Sequence, residues 1–412
     1  MSKLGVLFFI MALCQTQLWA QVMGCTDTQA SNYESSANIN DGSCVYAETT
    51  IDPVVSIALP DAVAETSGLI FWNNQLITHN DNTDTNLYGL NTVTGEILKT
   101  YPLDDLTNKD WEEIAQDEEY IYIGDFGNNG NGNRKNLRIF KIDKASLKSG
   151  SPDVTQINFS YPEQTDFSDT GNNNTDFDCE AFVVTDDQIY LFTKQWVSLR
   201  TALYTIPKTA GTYSASLVTT YNVDGLITGS TSILEKNLIV LSGYSNSLEP
   251  FVYLLYDFPQ HEFFNGNKRK IMLSLPLHQT EAITTTDGLE YFITNESLVK
   301  QPYVNNPQKL HDFSLKPFLE DYLQTYTLAT SKAATSPEIV VYPNPVNGDT
   351  LNITYSKSLV SHYFKITNST GQEVMKGTLK KDKSLNISSL ESGIYYLLID
   401  GKSKTSFKVI KS

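Results

Sequence analysis

A recurring pattern of apolar and polar positions organises the middle of the chain. Its clearest copy, residues 110–129, has an acidic start, a short apolar strand, an acidic turn, a second alternating strand and an exit rich in Gly and Asn. Alternation with a period of two is typical of β-strands, and two such runs separated by a polar turn predict a hairpin. The second strand of this hairpin ends in polar groups.

The same pattern recurs along the chain. With positions 67, 113, 180, 230 and 281 taken as equivalent points, the steps are 46, 67, 50 and 51 residues. A repeat of about 40–50 residues holding about four short strands is typical of propeller blades. We place a β-propeller at residues 57–330, whose length predicts six blades, with five as the alternative. An insertion at residues 161–178, rich in Asp and Asn, explains the long step.

The pattern changes near the C-terminus. A small, polar linker at residues 331–337 precedes short strands that alternate with turn residues at close spacing. Residues 338–412 therefore predict an Ig-like β-sandwich of about seven strands. The expected fold class is all-β: a six-bladed or five-bladed propeller followed by this sandwich.

The N-terminus has the pattern of an export signal. Lys3 precedes an apolar run at residues 4–13, and a plausible cleavage site lies before Gln21. The run is too short to span a bilayer, so we expect no transmembrane segment in the mature chain. In an exported chain, Cys25 and Cys44 are expected to form a disulfide around a short module, residues 21–46, with a linker at 47–56. Cys179 is then left over, as a buried thiol.

Charge narrows the range of partners. The net charge of −17 and the pI near 4.7 argue against a nucleic-acid backbone or an anionic membrane as the main partner. They fit a secreted, soluble protein or one that collects divalent cations. The aspartates of the 161–178 insertion are one candidate calcium loop, with a surface loop as the default alternative.

Candidate chemistry lies where the blades converge. Glu113, Glu180 and Glu281 occupy equivalent repeat positions, and carboxylates or amides (Asp125, Asn80 with Asp81, Asn295 with Glu296) follow second strands. Carboxylates brought together repel one another unless they share a cation or protons, and oxygen ligands suit calcium. The expected metal ligands are Glu113, Asp125, Glu180 and Glu281. Alternatively, such glutamates accept hydrogen bonds from backbone amides of the neighbouring blade.

Two terminal segments resemble known families. Residues 338–412 resemble the type A C-terminal sorting domain of the type IX secretion system, in the opening Tyr342, Pro343, Asn344 and Pro345 and in Gly393 and Tyr395. This resemblance implies export by the type IX machinery, followed by release or attachment at the outer surface. Residues 24–46 resemble the Gly-Cys-Thr-Asp … Asp-Gly-Ser-Cys module of Bacteroidetes surface proteins.

The central region resembles secreted phytase-like and SdiA-regulated propellers. The matching motifs are Glu-x-Ser-Gly-Leu at 65–69, His-Asn-Asp at 79–81 and Asp-Trp-Glu-Glu-Ile-Ala at 110–115. The resemblance implies a calcium-dependent phosphoesterase or lactonase, in which the cation polarises a phosphoryl or carbonyl oxygen. His79 and Glu113 are the candidates that move the proton.

A non-catalytic function is the alternative, so the sequence leaves open whether the protein is an enzyme. In this case the propeller binds a glycan or a protein, and Trp72, Trp111 and Trp196 supply stacking surfaces. The chain has only five His, and Arg134, Lys135 and Arg138 are the basic residues near the acidic motifs that could hold a phosphate.

Overall fold

The computed structural model describes residues 21–332, 339–355, 363–368, 372–378, 384–400 and 405–411. The expected export signal at residues 1–20 lies outside these ranges, as does most of the expected linker at 331–337. The chain divides into two compact units, Met1–Gln324 and Thr325–Ser412.

Five sheets, each built around four antiparallel strands, make up most of the first unit. The strands of blade 1 are Thr66–Trp72, Gln75–Asn80, Asn86–Leu90 and Ile97–Pro102. Those of blade 2 are Trp111–Gln116, Tyr120–Asp125, Leu137–Asp143 and Val154–Ser160. Those of blade 3 are Asp178–Val184, Gln188–Lys194, Thr201–Pro207 and Ser216–Tyr221.

The remaining blades use strands from both ends of the unit. The strands of blade 4 are Leu226–Ile233, Leu238–Tyr244, Pro250–Tyr256 and Asn267–Leu273. Those of blade 5 are Thr280–Thr285, Glu290–Asn295, Lys309–Ser314 and Val55–Ala58. Gly211–Ser214 and Thr50–Ile51 add a fifth, parallel strand to blades 2 and 4.

The first strands of the five sheets form a closed ring. Each contacts the first strand of the next sheet, and that of blade 5 contacts that of blade 1. This arrangement is a β-propeller, and the all-β prediction is confirmed. Among the described residues the topology contains five such sheets, the alternative number, so the prediction of six blades is wrong. The extra length lies in insertions such as the helix Lys144–Ser149, the loop at 161–177 and the hairpin Leu298–Lys300 with Val304–Asn306.

The N-terminal segment closes the ring. Val55–Ala58 pairs antiparallel with Lys309–Ser314 and so completes blade 5. The stretch at the other end of the unit is helical, Lys316–Lys332. Leu319 and Leu323, four residues apart, are buried in the core shared by blades 4 and 5. Three short 3₁₀ turns complete the unit: Asp61–Val63, Leu234–Lys236 and Phe263–Asn265.

The expected disulfide between Cys25 and Cys44 is present, and the module around it packs on blade 4. The module has two short parallel strands, Met23–Gly24 and Ile39–Asn40. Its Asn40 donates to the Asp257 carboxylate at 2.8 Å, and the Arg269 guanidinium of blade 4 lies over the ring of Tyr46. The module therefore belongs to the first compact unit.

The second unit contains seven strands in two sheets among its described residues. One sheet holds Ile339–Tyr342, Thr350–Tyr355 and Ser384–Asn386. The other holds Glu373–Thr378, Tyr363–Asn368, Gly393–Asp400 and Thr405–Lys411. Apolar residues of both sheets share one core, as in a sandwich, while the Ig-like topology stays a prediction.

Residues of the Tyr-Pro-Asn-Pro opening tie this sandwich together. The Asn344 side chain donates to Lys408 O at 2.6 Å and accepts from Ile410 N at 2.9 Å, so the opening is bound to the last strand. Tyr395 is buried, and its hydroxyl donates to Glu391 O at 2.9 Å.

Candidate functional site

A β-bulge interrupts each of the five inner strands near its start. In blade 2, Trp111 pairs with Asp125 and Glu113 pairs with Gly124, so Glu112 is the extra residue. In blade 3 the extra residue is Glu180. A bulge re-aims the side chains beside it. Acidic residues therefore concentrate at one end of the propeller axis, where inner strands begin and second strands end.

Three half-buried carboxylates meet at this end and are called the outer triad: Glu65, Asp81 and Glu296. Each offers an oxygen that lies within 4.8 Å of those of the other two. Burial, followed by the negative charges of Glu296 and Glu65, raises the pKa of Asp81 to about 8. Burial raises the pKa of Glu296 to about 7. Oxygens this close, supplied only by carboxylates, form a donor set that suits a hard divalent cation such as calcium.

Glu281 lies beside the outer triad. It is 5% exposed, and its Oε2 has no hydrogen-bond partner among the described residues. Burial raises its pKa to about 8, and the charges of Glu296 and Asp81 act in the same direction. A buried carboxylate oxygen without a donor is costly unless a proton or a cation compensates it.

A second group of carboxylates, the inner triad, is fully buried: Glu112, Asp178 and Glu180. This group already has a cation, because Lys194 Nζ lies 3.1 Å from Glu180 Oε1. Lys194 is 3% exposed, and although burial alone would lower its pKa, Glu180 and the other carboxylates raise it. The Asp178 oxygens accept from Asn128 N and from Trp196 Nε1 at 2.5 and 2.8 Å. The outer triad, Glu281, the inner triad and Lys194 together are called the acidic mouth.

The Glu113 carboxylate is fully buried and bound by backbone amides. Its Oε1 accepts from Ile114 N at 2.9 Å and its Oε2 from Ser230 N at 2.7 Å. Burial raises its pKa, while these two amides and that of Leu69 favour the charged form. Glu113 thus joins blades 1, 2 and 4, in agreement with the amide-binding alternative for this position.

His79 is fully buried between blades 1 and 2. Its Nδ1 lies 3.2 Å from Asn80 O, its Nε2 has no partner among the described residues, and its ring packs edge-on against Trp111. Burial lowers the pKa of His79 to about 4, so the ring is neutral at neutral pH. The same enclosure keeps it from solvent.

Asp125 is held by two arginines. Its Oδ1 accepts from Arg134 Nη2 at 2.9 Å and its Oδ2 from Arg138 Nε at 2.8 Å. Both oxygens therefore have charged partners. Of the four expected metal ligands, only Glu180 lies in one of the two carboxylate triads of the described residues, and Glu281 lies beside them.

The register explains why Glu113 and Glu281 differ. Glu281 follows Thr280, which pairs with the last residue of the second strand, Asn295. In blade 2, Trp111 pairs with the last residue of the second strand, Asp125, so the residue equivalent to Glu281 is Glu112 and not Glu113. Asp81 and Glu296 are among the candidate groups that directly follow a second strand, but they are not among the expected metal ligands. Glu65 was missed as a ligand, although it directly precedes an inner strand.

The other candidate groups serve local structure. Asp166, Asp169 and Asp176 each accept a backbone N–H of the insertion or of a neighbouring loop. The tryptophans do not share a surface: Trp111 is fully buried, and Trp72 lies at the end of its strand remote from the mouth.

Fold and site together define an all-β protein with a propeller whose axis opens in an acidic mouth, followed by a β-sandwich. Residues 340–412 match the family model of the secretion system C-terminal sorting domain, which is that of type IX secretion. This match points to a secreted or cell-surface protein. None of the helices in the part of the chain that the structure describes could span a lipid bilayer.

Similarity to solved structures is distant. A putative oxidoreductase (glucose dehydrogenase) from Thermus thermophilus is 7% identical, with a TM-score of 0.35 over 63% of this chain and 99% of that one. A putative 6-phosphogluconolactonase from Bacteroides uniformis is 13% identical, with a TM-score of 0.32 over 81% and 88%. The WD40 repeats of RRP9 are 9% identical, with a TM-score of 0.33 over 62% and 96%. No curated protein matches the sequence.

Proposed function

We propose that this protein is a secreted, calcium-dependent hydrolase of phosphoesters or of carboxylic esters such as lactones. The observation that carries the proposal is the outer triad, whose three carboxylates present oxygens within 4.8 Å of one another and are half-buried. Calcium accepts six to eight oxygen ligands, so a three-carboxylate site open on one side leaves positions for water and substrate.

In this proposal Glu65, Asp81 and Glu296 hold the cation. Among the described residues no basic side chain forms an ion pair with any of the three, in contrast to the inner triad with Lys194. When bound, calcium would polarise the phosphoryl or carbonyl oxygen of a substrate.

Glu281 is the proposed proton acceptor. Its buried Oε2 has no donor, so the oxygen can accept a proton from an attacking water once the carboxylate is ionised, above its pKa of about 8. In this proposal Glu113 and His79, the candidates from the sequence, have structural roles and do not move the proton. Both amide-bound oxygens of Glu113 are occupied, and His79 has no exposed surface.

The first test is calcium binding by the chain without residues 1–20. We expect calorimetry to detect binding and chelator to lower the melting temperature. Asp81→Asn with Glu296→Gln is expected to abolish both effects. The matched control is Asp166→Asn with Asp169→Asn, which removes two carboxylates from the insertion and is expected to leave binding unchanged.

Hydrolysis is then measured with phosphate and carboxylic esters in calcium and in chelator. Turnover that needs calcium and is lost in the Asp81 and Glu296 double variant supports the proposal. Calcium binding without turnover of any ester would contradict it and would favour the non-catalytic alternative. If the folded protein binds no calcium, the proposed cation site does not exist.

A further inference from the structure

The balance of charge at the acidic mouth bears on its substrate. The two triads, Glu281 and Asp110 bring eight carboxylates into electrostatic contact with one another. Lys194 is buried among them and paired with Glu180, and Arg134 Nη1 lies 3.8 Å from Asp110 Oδ2. One divalent cation and these two basic residues supply four positive charges, so eight ionised carboxylates keep an excess of negative charge.

The basic residues near the mouth are committed to protein groups. Arg134 donates to Asp125 Oδ1 and to Gly127 O, and Arg138 donates to Asp125 Oδ2 and to Thr107 Oγ1. Lys135 lies over the Phe167 ring, 4.5 Å from its centroid. Recognition of phosphate depends on charge-assisted donors such as these. The three residues that the sequence offers for that purpose thus already have partners within the protein.

Apolar side chains adjoin the mouth. Trp196 Nε1 donates to Asp178 Oδ2 at 2.8 Å, which fixes the half-buried indole beside the inner triad. Val197, the next residue, is 62% exposed. These two side chains can contact an uncharged, apolar part of a substrate without loss of hydrogen bonds.

We propose that the acidic mouth selects uncharged carboxylic esters, lactones included, and rejects phosphate esters. This inference rests on the proposed function. A phosphate monoester carries about two negative charges near neutral pH and meets like charge in the mouth. An uncharged ester meets no such repulsion. The unpartnered, buried Oε2 of Glu281 is the independent feature that directs a ligand to this group of carboxylates.

The reaction fits the same charge balance. The water oxygen bonds to the carbonyl carbon, the bond from this carbon to the alkoxy oxygen breaks, and the alkoxy oxygen takes one water proton. The resulting carboxylic acid loses its proton to solvent at neutral pH. Substrate is therefore neutral and product anionic, so the mouth repels the product and favours its release.

The test compares three esters of one leaving group on the full chain in saturating calcium. These are p-nitrophenyl butyrate (uncharged), p-nitrophenyl hemisuccinate (a singly charged carboxylic ester) and p-nitrophenyl phosphate. Because like charges repel, we expect kcat/KM to fall by about 10-fold from the first to the second and by about 100-fold or more to the third. Raising NaCl to about 0.5 M should narrow the first gap, because salt screens charge.

Calcium-dependent turnover of the phosphate as fast as the butyrate would overturn this inference and leave the proposed function standing. Equal turnover of butyrate and hemisuccinate at every salt concentration would also overturn it, because charge would then not select the substrate. Absence of turnover of all three esters by calcium-bound protein would instead count against the proposed function itself.

Discussion

The carboxylates of Glu113 and Glu281 show how much a buried acidic side chain depends on its immediate donors. Glu113 accepts backbone N–H groups from Ile114 and Ser230, while one oxygen of Glu281 has no donor. Both residues are buried glutamates of inner strands. The surroundings of Glu113 nevertheless suit it for joining blades, and those of Glu281 suit it for accepting a proton.

This difference predicts opposite effects of the same substitution. Glu113→Gln turns an amide NH₂ toward a backbone N–H and is expected to cost about 1–3 kcal/mol of unfolding free energy, with calcium affinity retained. Glu281→Gln is expected to lose little stability but to abolish ester hydrolysis. Denaturant unfolding and calorimetry measure both. A Glu113→Gln protein as stable as wild type would show that the amide bonds contribute nothing.

Gly229 lies close to the backbone of Glu281 and to the carboxylate of Glu113. A Cβ at this position would lie 2.2 Å from the backbone oxygen of Glu281 and 3.3 Å from Glu113 Oε2. Because a backbone atom cannot yield, Gly229→Ala is expected to destabilise the protein by about 1–3 kcal/mol. Gly130→Ala is the control, since a Cβ there meets nothing within 4 Å. Equal melting temperatures of the two variants would contradict the prediction.

At the scale of elements, the N-terminal segment stabilises two blades. Thr50–Ile51 adds a strand to blade 4 and Val55–Ala58 completes blade 5. The disulfide module packs against the outer strand of blade 4, where Lys268 Nζ donates to Gly42 O at 2.9 Å. The module thus covers a sheet edge that would otherwise expose unpaired backbone groups.

We therefore expect the disulfide to stabilise the whole propeller. Cys25→Ser with Cys44→Ser opens a loop with a sequence separation of 19 and is expected to cost about 3 kcal/mol. Reductant should lower the melting temperature of the wild type and leave that of the variant unchanged. A single, unchanged transition in both proteins would mean that the module folds independently of the propeller.

Repeat analysis identified the five inner strands but not their number in the ring. The step lengths predict blades plus one insertion, whereas several insertions share the extra length. The strand pattern also does not predict the helix Lys316–Lys332, because a single helix follows a long series of strands. Its period is visible only in Leu319 and Leu323, which the core of blades 4 and 5 buries.

At the scale of the molecule, the acidic mouth links stability to pH and to calcium. The folded pKa values of Asp81 and Glu281, about 8, exceed the ordinary values of 3.8 and 4.5, so the folded protein holds protons that the unfolded chain lacks. The stability they contribute is complete below the ordinary values and is lost as pH rises through 8. His79, with a pKa lowered from 6.5 to about 4, acts in the opposite sense only below pH 6.5.

Between about pH 6.5 and 8.5 the carboxylates therefore determine how the stability of the folded protein changes with pH. In chelator we expect the melting temperature to fall as pH rises over this interval, and the increase caused by calcium to grow, because calcium replaces the protons. Thermal melting with and without calcium at several pH values measures both trends. A calcium effect that is independent of pH would mean that the outer triad does not bind the ion.

Features that depend on local order can be predicted from the sequence alone. Strand alternation, the repeat of acidic hairpins, the pair Cys25 and Cys44, and the sorting domain at 340–412 are all written in contiguous residues. The number of blades and the members of the mouth depend instead on contacts between distant parts of the chain. Glu296 meets Glu65 and Asp81 because blade 5 closes against blade 1, and one bulge residue decides whether Glu112 or Glu113 faces the mouth. Ring closure and register are long-range properties, which no local pattern specifies.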